Sequence, residues 1–135
     1  MSVLNEYVKD VQILTDRERF VYLIELGEDI GEYPKDKKMS KYEVPGCTSL
    51  VYIYLTQEQE KIRIHAYAEA KVVRGYIRIL RDALNNNTAQ EIIDDTSVPQ
   101  FIKDAQMNVS TQVSRSNAFG NLYEFIKKQA KQFKS

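Results

Sequence analysis

Ser49-Leu50-Val51-Tyr52-Ile53-Tyr54-Leu55 and, after the polar Gln57-Glu58-Gln59-Glu60, Lys61-Ile62-Arg63-Ile64-His65-Ala66-Tyr67 decide the fold. The first run is almost wholly β-branched, aromatic or aliphatic, which is the composition of a strand. Alternation sends Leu50, Tyr52 and Tyr54 to one side and Val51, Ile53 and Leu55 to the other. The second run alternates as well, with Ile62, Ile64 and Ala66 on one face and Arg63, His65 and Tyr67 on the other. Two such runs around a short polar turn predict an antiparallel hairpin with one face against a core. The other periodic segments are helical, so the strands stand grouped among helices. That order predicts an α+β fold, a small central antiparallel sheet of about three strands packed by helices.

On the N-terminal side, Thr15-Asp16-Arg17-Glu18 is a capping box opening a helix from about Asp16 to about Asp29, with Phe20, Leu23, Ile24 and Ile30 at helical spacing. Ahead of it, Leu4, Val8, Val11 and Ile13-Leu14 give a shorter, irregular helical pattern. Gly31 to Lys41 is polar and carries Pro34 and four lysines. It reads as a loop with solvated charges, in preference to a basic rim for an acidic partner. Beyond the hairpin lies the strongest helix, its apolar stripe formed by Val72, Val73, Tyr76, Ile77, Leu80 and Leu84. Arg74, Arg78 and Arg81 form a second stripe, expected on the wet side. Gly75 within this helix costs about 1 kcal/mol against alanine, which implies a close packing contact. Asn85-Asn86-Asn87 stops the helix. Thr88-Ala89-Gln90-Glu91 caps a short helix to about Asp95, Pro99 starts another to about Met107, and Ser116 to Phe133 forms the last. Phe119, Leu122, Tyr123, Ile126 and Ala130 share one face of that last helix.

With 135 residues the chain is expected to fold as one domain, residues 1–135, and to bury a core without staples. Lys+Arg and Asp+Glu are both 19, so no general attraction to nucleic acid is implied. Met1 to Asp10 lacks a basic start followed by an apolar core, and no apolar run approaches the roughly 20 residues of a membrane helix. A lone cysteine forms no internal disulfide, which fits a reducing compartment and a cytoplasmic location. One Cys and one His do not make a four-ligand zinc site.

The chemistry concentrates at Pro45-Gly46-Cys47, a turn that opens into the first strand. A thiol there is a candidate nucleophile or sulfur carrier; the alternative is a small buried hydrophobe, and the turn position favours the first. Unperturbed, with a pKa of about 8.5, it would be only a few per cent thiolate at neutral pH. His65 on the second strand lacks an evident orienting partner and reads as structural. Tyr52, Tyr54 and Tyr76 fall in patterned elements and read as packing. No phosphate loop, metalloprotease helix or nucleophile elbow occurs.

Four stretches resemble the SufE family of sulfur acceptors, which includes the CsdE proteins. Arg19-Phe20-Val21-Tyr22-Leu23-Ile24-Glu25-Leu26-Gly27 is similar to its first long helix. Val44-Pro45-Gly46-Cys47-Thr48-Ser49-Leu50-Val51-Tyr52 looks like its Gly-Cys-Gln-Ser-x-Val-Trp loop and strand. Ala70-Lys71-Val72-Val73-Arg74-Gly75-Tyr76-Ile77 looks like Ala-x-Ile-Val-Lys-Gly-Leu-Ile, and Ser114-Arg115 like the Ser-Arg pair before the last helix. The resemblance implies that Cys47 accepts sulfur from the persulfide of a pyridoxal-phosphate cysteine desulfurase of the SufS or CsdA kind. It also implies stimulation of that desulfurase and relay of the sulfur to an iron–sulfur scaffold, by a monomer or weak homodimer needing no cofactor of its own. The alternative is an interaction protein that activates the desulfurase by docking, with Cys47 incidental; an independent thiol enzyme is a third reading. Thr48, Tyr52, Tyr67 and Glu69 depart from the family pattern, which there has Gln, Trp and an Asp-Ser-Asp run. Arg115 is expected in a structural role. The family further implies a loop that shelters the thiol until a partner docks.

Overall fold

In the computed structural model, residues 3–47, 49–105 and 118–133 are described. The hairpin forms as expected and is slightly longer, with β1 at Val51–Glu58 and β2 at Lys61–Ala68. Val51 faces Ala68 at one end and Glu58 faces Lys61 at the other. The turn is tighter than the sequence indicated because Gln59 and Glu60 both take positive φ, 53° and 68°. That backbone matches strand twist and usually signals itself by Asn-Gly, which is missing here.

The expected third strand is absent among the described residues: the sheet has two. On the outer edge of β1 its place is taken by one antiparallel bridge, Glu43 to Tyr52, with the Val44 N–H donating to the Val51 carbonyl at 2.9 Å. The pairing stops there because Pro45 has no N–H and Gly46, at φ +82°, turns the chain away. The outer edge of β2 is closed by the asparagine triplet, which does more than end a helix. Ile64 N–H donates to Asn85 Oδ1 at 2.8 Å, Asn86 N–H to the Ile62 carbonyl at 2.9 Å, and Ile62 N–H to the Asn87 carbonyl at 2.8 Å. Both edges are thereby blunted against pairing with another chain.

Among the described residues six α-helices accompany the hairpin: α1 (Val3–Gln12), α2 (Asp16–Leu26), α3 (Lys71–Leu84), α4 (Ala89–Ile93), α5 (Ser97–Asp104) and α6 (Ala118–Ala130). Both capping boxes are present, at Thr15/Glu18 and Thr88/Glu91. Val51, Ile53, Leu55, Ile62, Ile64, Ala66 and Ala68 are buried on one sheet face, against α3 and α6. Every stripe residue expected of α3 and α6 is buried. Gln129 of α6, itself buried, donates to the Ile53 carbonyl at 2.6 Å and ties that helix to β1. Asp95 links two helices. It accepts the Val98 N–H at the start of α5 and the Tyr123 hydroxyl of α6, at 3.0 and 2.8 Å.

The helical pattern misled in α1 and α2. Ile13 is 81% exposed, in the turn between these helices, and Phe20 is 42% exposed; of α2 only Leu23 is buried. α2 packs through Leu23, with Tyr22, Ile24 and Leu26 partly buried beside it, and through close backbone approach to α3. A Cβ on Gly75 would lie 2.1 Å from the Leu23 carbonyl oxygen, and one on Gly27 would lie 2.5 Å from Arg74 Cβ. The two glycines let α2 and α3 meet with no side chain between them. The arginine stripe, expected to be solvated, is recruited to the same junction. Arg78 donates to the Leu26 carbonyl at 3.4 Å and pairs with Asp29 and Asp82, while Arg81 donates to the Ile30 carbonyl at 2.6 Å. These guanidinium groups satisfy carbonyls left open where α2 ends in the 3₁₀ turn Gly27–Asp29.

Gly75→Ala should destabilise the protein by about 3 kcal/mol or more, because a methyl at 2.1 Å from a backbone oxygen forces two helices apart. Urea unfolding of the variant measures this; a loss below about 1 kcal/mol would show that the helices are not so closely apposed.

Candidate functional site

The loop that leaves the Glu43–Tyr52 bridge is fastened on both sides. Val44 is buried at 3% exposure and forms its inner anchor, whereas Pro45 and Gly46 are exposed. Asn121 of α6 donates from Nδ2 to the Gly46 carbonyl at 3.1 Å. The φ of Gly46, +82°, favours glycine, and a Cβ there would stand 2.8 Å from that nitrogen and displace the Asn121 side chain. On the exit side, Leu50 accepts the Glu69 N–H at 3.1 Å. Cys47 lies between these ties, half-buried and packed on the apolar core. Burial pushes its thiol above the ordinary cysteine range.

The site is therefore a protonated thiol at the mouth of the core, in a loop that a side-chain hydrogen bond from Asn121 helps to hold. A sulfur so placed attacks only when its proton is taken or its surroundings change. Thr48, Ser114 and Arg115, which the sequence marked, lie outside the described residues.

His65 is not brought to the thiol. It stacks on Tyr54 at 4.6 Å between ring centroids and shares a hydrogen bond of 2.9 Å with Thr56 Oγ1. In the strand register it sits three pairs from the Val51–Ala68 end where the cysteine loop attaches, about 10 Å along the hairpin. Burial, with Arg81 and Arg63 nearby, lowers its pKa and favours the neutral ring. A Cys–His catalytic pair has no geometric support here, and the structural reading of His65 stands.

Two of the departures from the family pattern meet. Tyr52 and Tyr67 face each other across the hairpin, with rings 6.2 Å apart. Tyr33 stacks over Tyr52 at 6.0 Å and contacts Tyr54 and Tyr67, while Tyr42 leans on Tyr54 at 5.5 Å. The second sheet face, which alternation left unassigned, is thus covered by aromatic rings from the 31–42 segment. Sequence reasoning missed Tyr33, Tyr42 and Asn121. An asparagine on a helix carries no signal of its own, and loop tyrosines without periodicity point nowhere until the loop is folded over.

The fold and the site define a class: an α+β domain that presents a single half-buried thiol on a pinned glycine turn beside a hairpin. A family profile described as "SufE: Fe-S metabolism associated domain" matches residues 5–130. The chain belongs to the SufE family, and with it to the proteins of sulfur transfer and iron–sulfur metabolism. It is 30% identical over 128 residues to an uncharacterized SufE-like protein of Synechocystis sp., covering 94% of this chain and 79% of that one. It is 26% identical over 136 residues to the cysteine desulfuration protein SufE of Wigglesworthia glossinidia brevipalpis, covering 95% and 94%. The solution structure of a hypothetical protein from Thermus thermophilus shares the fold, with a TM-score of 0.73 and 15% identity over 96% of this chain and 93% of that one. Among the described residues no helix is long and apolar enough to cross a membrane.

Because burial raises the Cys47 thiol, its alkylation by iodoacetamide should rise with pH to a midpoint above that of a free cysteine, about 8.5. Asn121→Ala removes a hydrogen bond worth about 1 kcal/mol and should speed alkylation at fixed pH roughly fivefold. An unchanged rate would mean that Asn121 does not hold the loop.

Proposed function

We propose that Cys47 is a persulfide acceptor for a pyridoxal-phosphate cysteine desulfurase, within one domain spanning residues 1–135. The observation that carries this reading is the placement of the chain's one cysteine. It stands on a glycine turn pinned by Asn121, at the end of the hairpin, in a SufE-family chain. The relative named a cysteine desulfuration protein supports the same chemistry.

The transfer balances without an added oxidant or reductant. The Cys47 sulfur attacks the terminal sulfur of the donor's persulfide, forming a new S–S bond while the donor's own S–S bond breaks. The donor cysteine leaves as a thiolate and takes up the proton that Cys47 gave. Cys47 then carries the sulfur as a persulfide and passes it, by the same exchange, to an iron–sulfur assembly scaffold. The protein supplies only position and access, with no cofactor of its own; the pyridoxal phosphate belongs to the partner. A suppressed thiolate suits a carrier in a reducing cytoplasm, because the unpartnered thiol then reacts slowly with adventitious electrophiles.

The half-buried thiol also supports a second reading, in which docking alone activates the desulfurase and Cys47 is a packing residue. Desulfurase turnover separates the two. Alanine release from cysteine should be stimulated by the wild-type protein and lose that stimulation with Cys47→Ser when no reductant is added. Full stimulation by Cys47→Ser would establish the docking activator and remove the carrier.

A further inference from the structure

Three of the four lysines of the 31–42 segment lie over aromatic rings. Lys37 Nζ sits 5.4 Å from the centroid of the Tyr54 ring, Lys38 Nζ 4.0 Å from Tyr67, and Lys41 Nζ 5.1 Å from Tyr42. All three are within the reach of a cation–π contact. Each head therefore lies over an aromatic face, and neither Glu32 and Asp36 of the same segment nor Glu43 just after it forms an ion pair with them among the described residues. The ion pairs among the described residues both belong to Arg78. Three lysine heads that lie over aromatic rings, and that form no ion pair among the described residues, present a basic surface to an anion.

This platform continues into a cleft of about 360 Å³ that Lys35, Lys38, Tyr33, Tyr67 and Arg74 help to line. Arg74 is half-buried, gives its Nε to the Ala68 carbonyl at 2.7 Å, and pairs with no carboxylate among the described residues. Glu28 and Glu32 line the cleft too, but both are exposed, so solvent screens them more than it screens Arg74. The platform also runs directly into the cysteine loop. Tyr42 is followed by Glu43, which bridges Tyr52, and then by Val44, Pro45, Gly46 and Cys47.

The geometry points to a docking surface for an acidic segment of the sulfur-donating partner, laid along Lys37, Lys38 and Lys41 with one carboxylate side chain in the cleft facing Arg74. The inference rests on the sulfur-acceptor reading for the identity of the partner, but not for the chemistry of the surface. A protein segment is favoured over nucleic acid because the chain as a whole carries no net charge and the cleft is of side-chain size. Such a surface fixes how the partner approaches, and so which sulfur reaches Cys47, and it adds mainly to the rate of encounter.

Two measurements on the full chain test it. In the first, a synthetic hexaglutamate peptide is titrated while backbone amide shifts are recorded. Shifts grouped at residues 33–42 and 67–74, weakening with added salt, are expected. Shifts elsewhere, none at all, or tighter binding of a single-stranded oligothymidylate at the same site would overturn the proposal. In the second, Lys35→Glu with Lys38→Glu, both at exposed positions, is compared with wild type for the concentration giving half-maximal desulfurase stimulation. An increase of roughly tenfold at low salt, shrinking as salt is raised, is expected; an unchanged value would overturn the proposal. Peptide shifts at the platform together with a wild type that never stimulates any desulfurase would remove the sulfur-acceptor reading and leave acidic-segment recognition standing.

Discussion

Burial of one face of a two-stranded hairpin holds the molecule together. Alone, such a hairpin is marginal in water. Here Val51, Ile53, Leu55, Ile62, Ile64, Ala66 and Ala68 are all removed from solvent by α3 and α6, and the fully buried side chains of those helices include Tyr76, Ile77, Leu80, Phe119, Leu122 and Tyr123. The other elements are attached to this unit by specific devices. The glycine junction seats α2 on α3, Arg78 and Arg81 close its end, the asparagine triplet seals the edge of β2, and Asp95 joins α5 to α6. The cysteine loop leads into β1 at the Val51–Ala68 end of the hairpin.

That position sets the chemistry. A thiol on a free loop would be wet and nearer its ordinary pKa, and one within the strand would be inaccessible. At the mouth of the core it is desolvated enough to stay protonated, in a loop anchored by buried Val44, by the Asn121 hydrogen bond to Gly46 and by the Glu69 N–H on Leu50. A side-chain hydrogen bond of about 1 kcal/mol is the kind of tie that a docking partner can exchange for its own contacts. The same partner would meet the seated lysines on the adjoining surface, so recognition and access adjoin without sharing residues.

The strands, the α3 and α6 stripes and both capping boxes were legible because each rests on local periodicity or on short-range side-chain chemistry. The turn that carries Cys47 was legible for the same reason, since Pro45-Gly46 precede it and an apolar run follows it. What escaped depended on contacts distant in sequence. The stripe of Arg74, Arg78 and Arg81 looks like a wet helix face until the end of α2, some fifty residues earlier, is placed against it. Phe20 and Ile13 fit a helical pattern but lie outside the core, because α2 meets α3 through glycine and backbone. The third strand reduces to one bridge at Glu43 for a reason present in the sequence, Pro45 and Gly46, but the alternation of β1 alone does not reveal it. Asn121 could be found only once α6 was folded over the loop.

Sulfur acceptance at Cys47 is the central claim, and the mass of the intact protein after incubation with a cysteine desulfurase and cysteine tests it most directly. The wild-type chain should gain the mass of one sulfur atom, a reductant should reverse the gain, and Cys47→Ser should gain nothing. A wild-type chain of unchanged mass beside a turning-over desulfurase, or the same gain on Cys47→Ser, would contradict it.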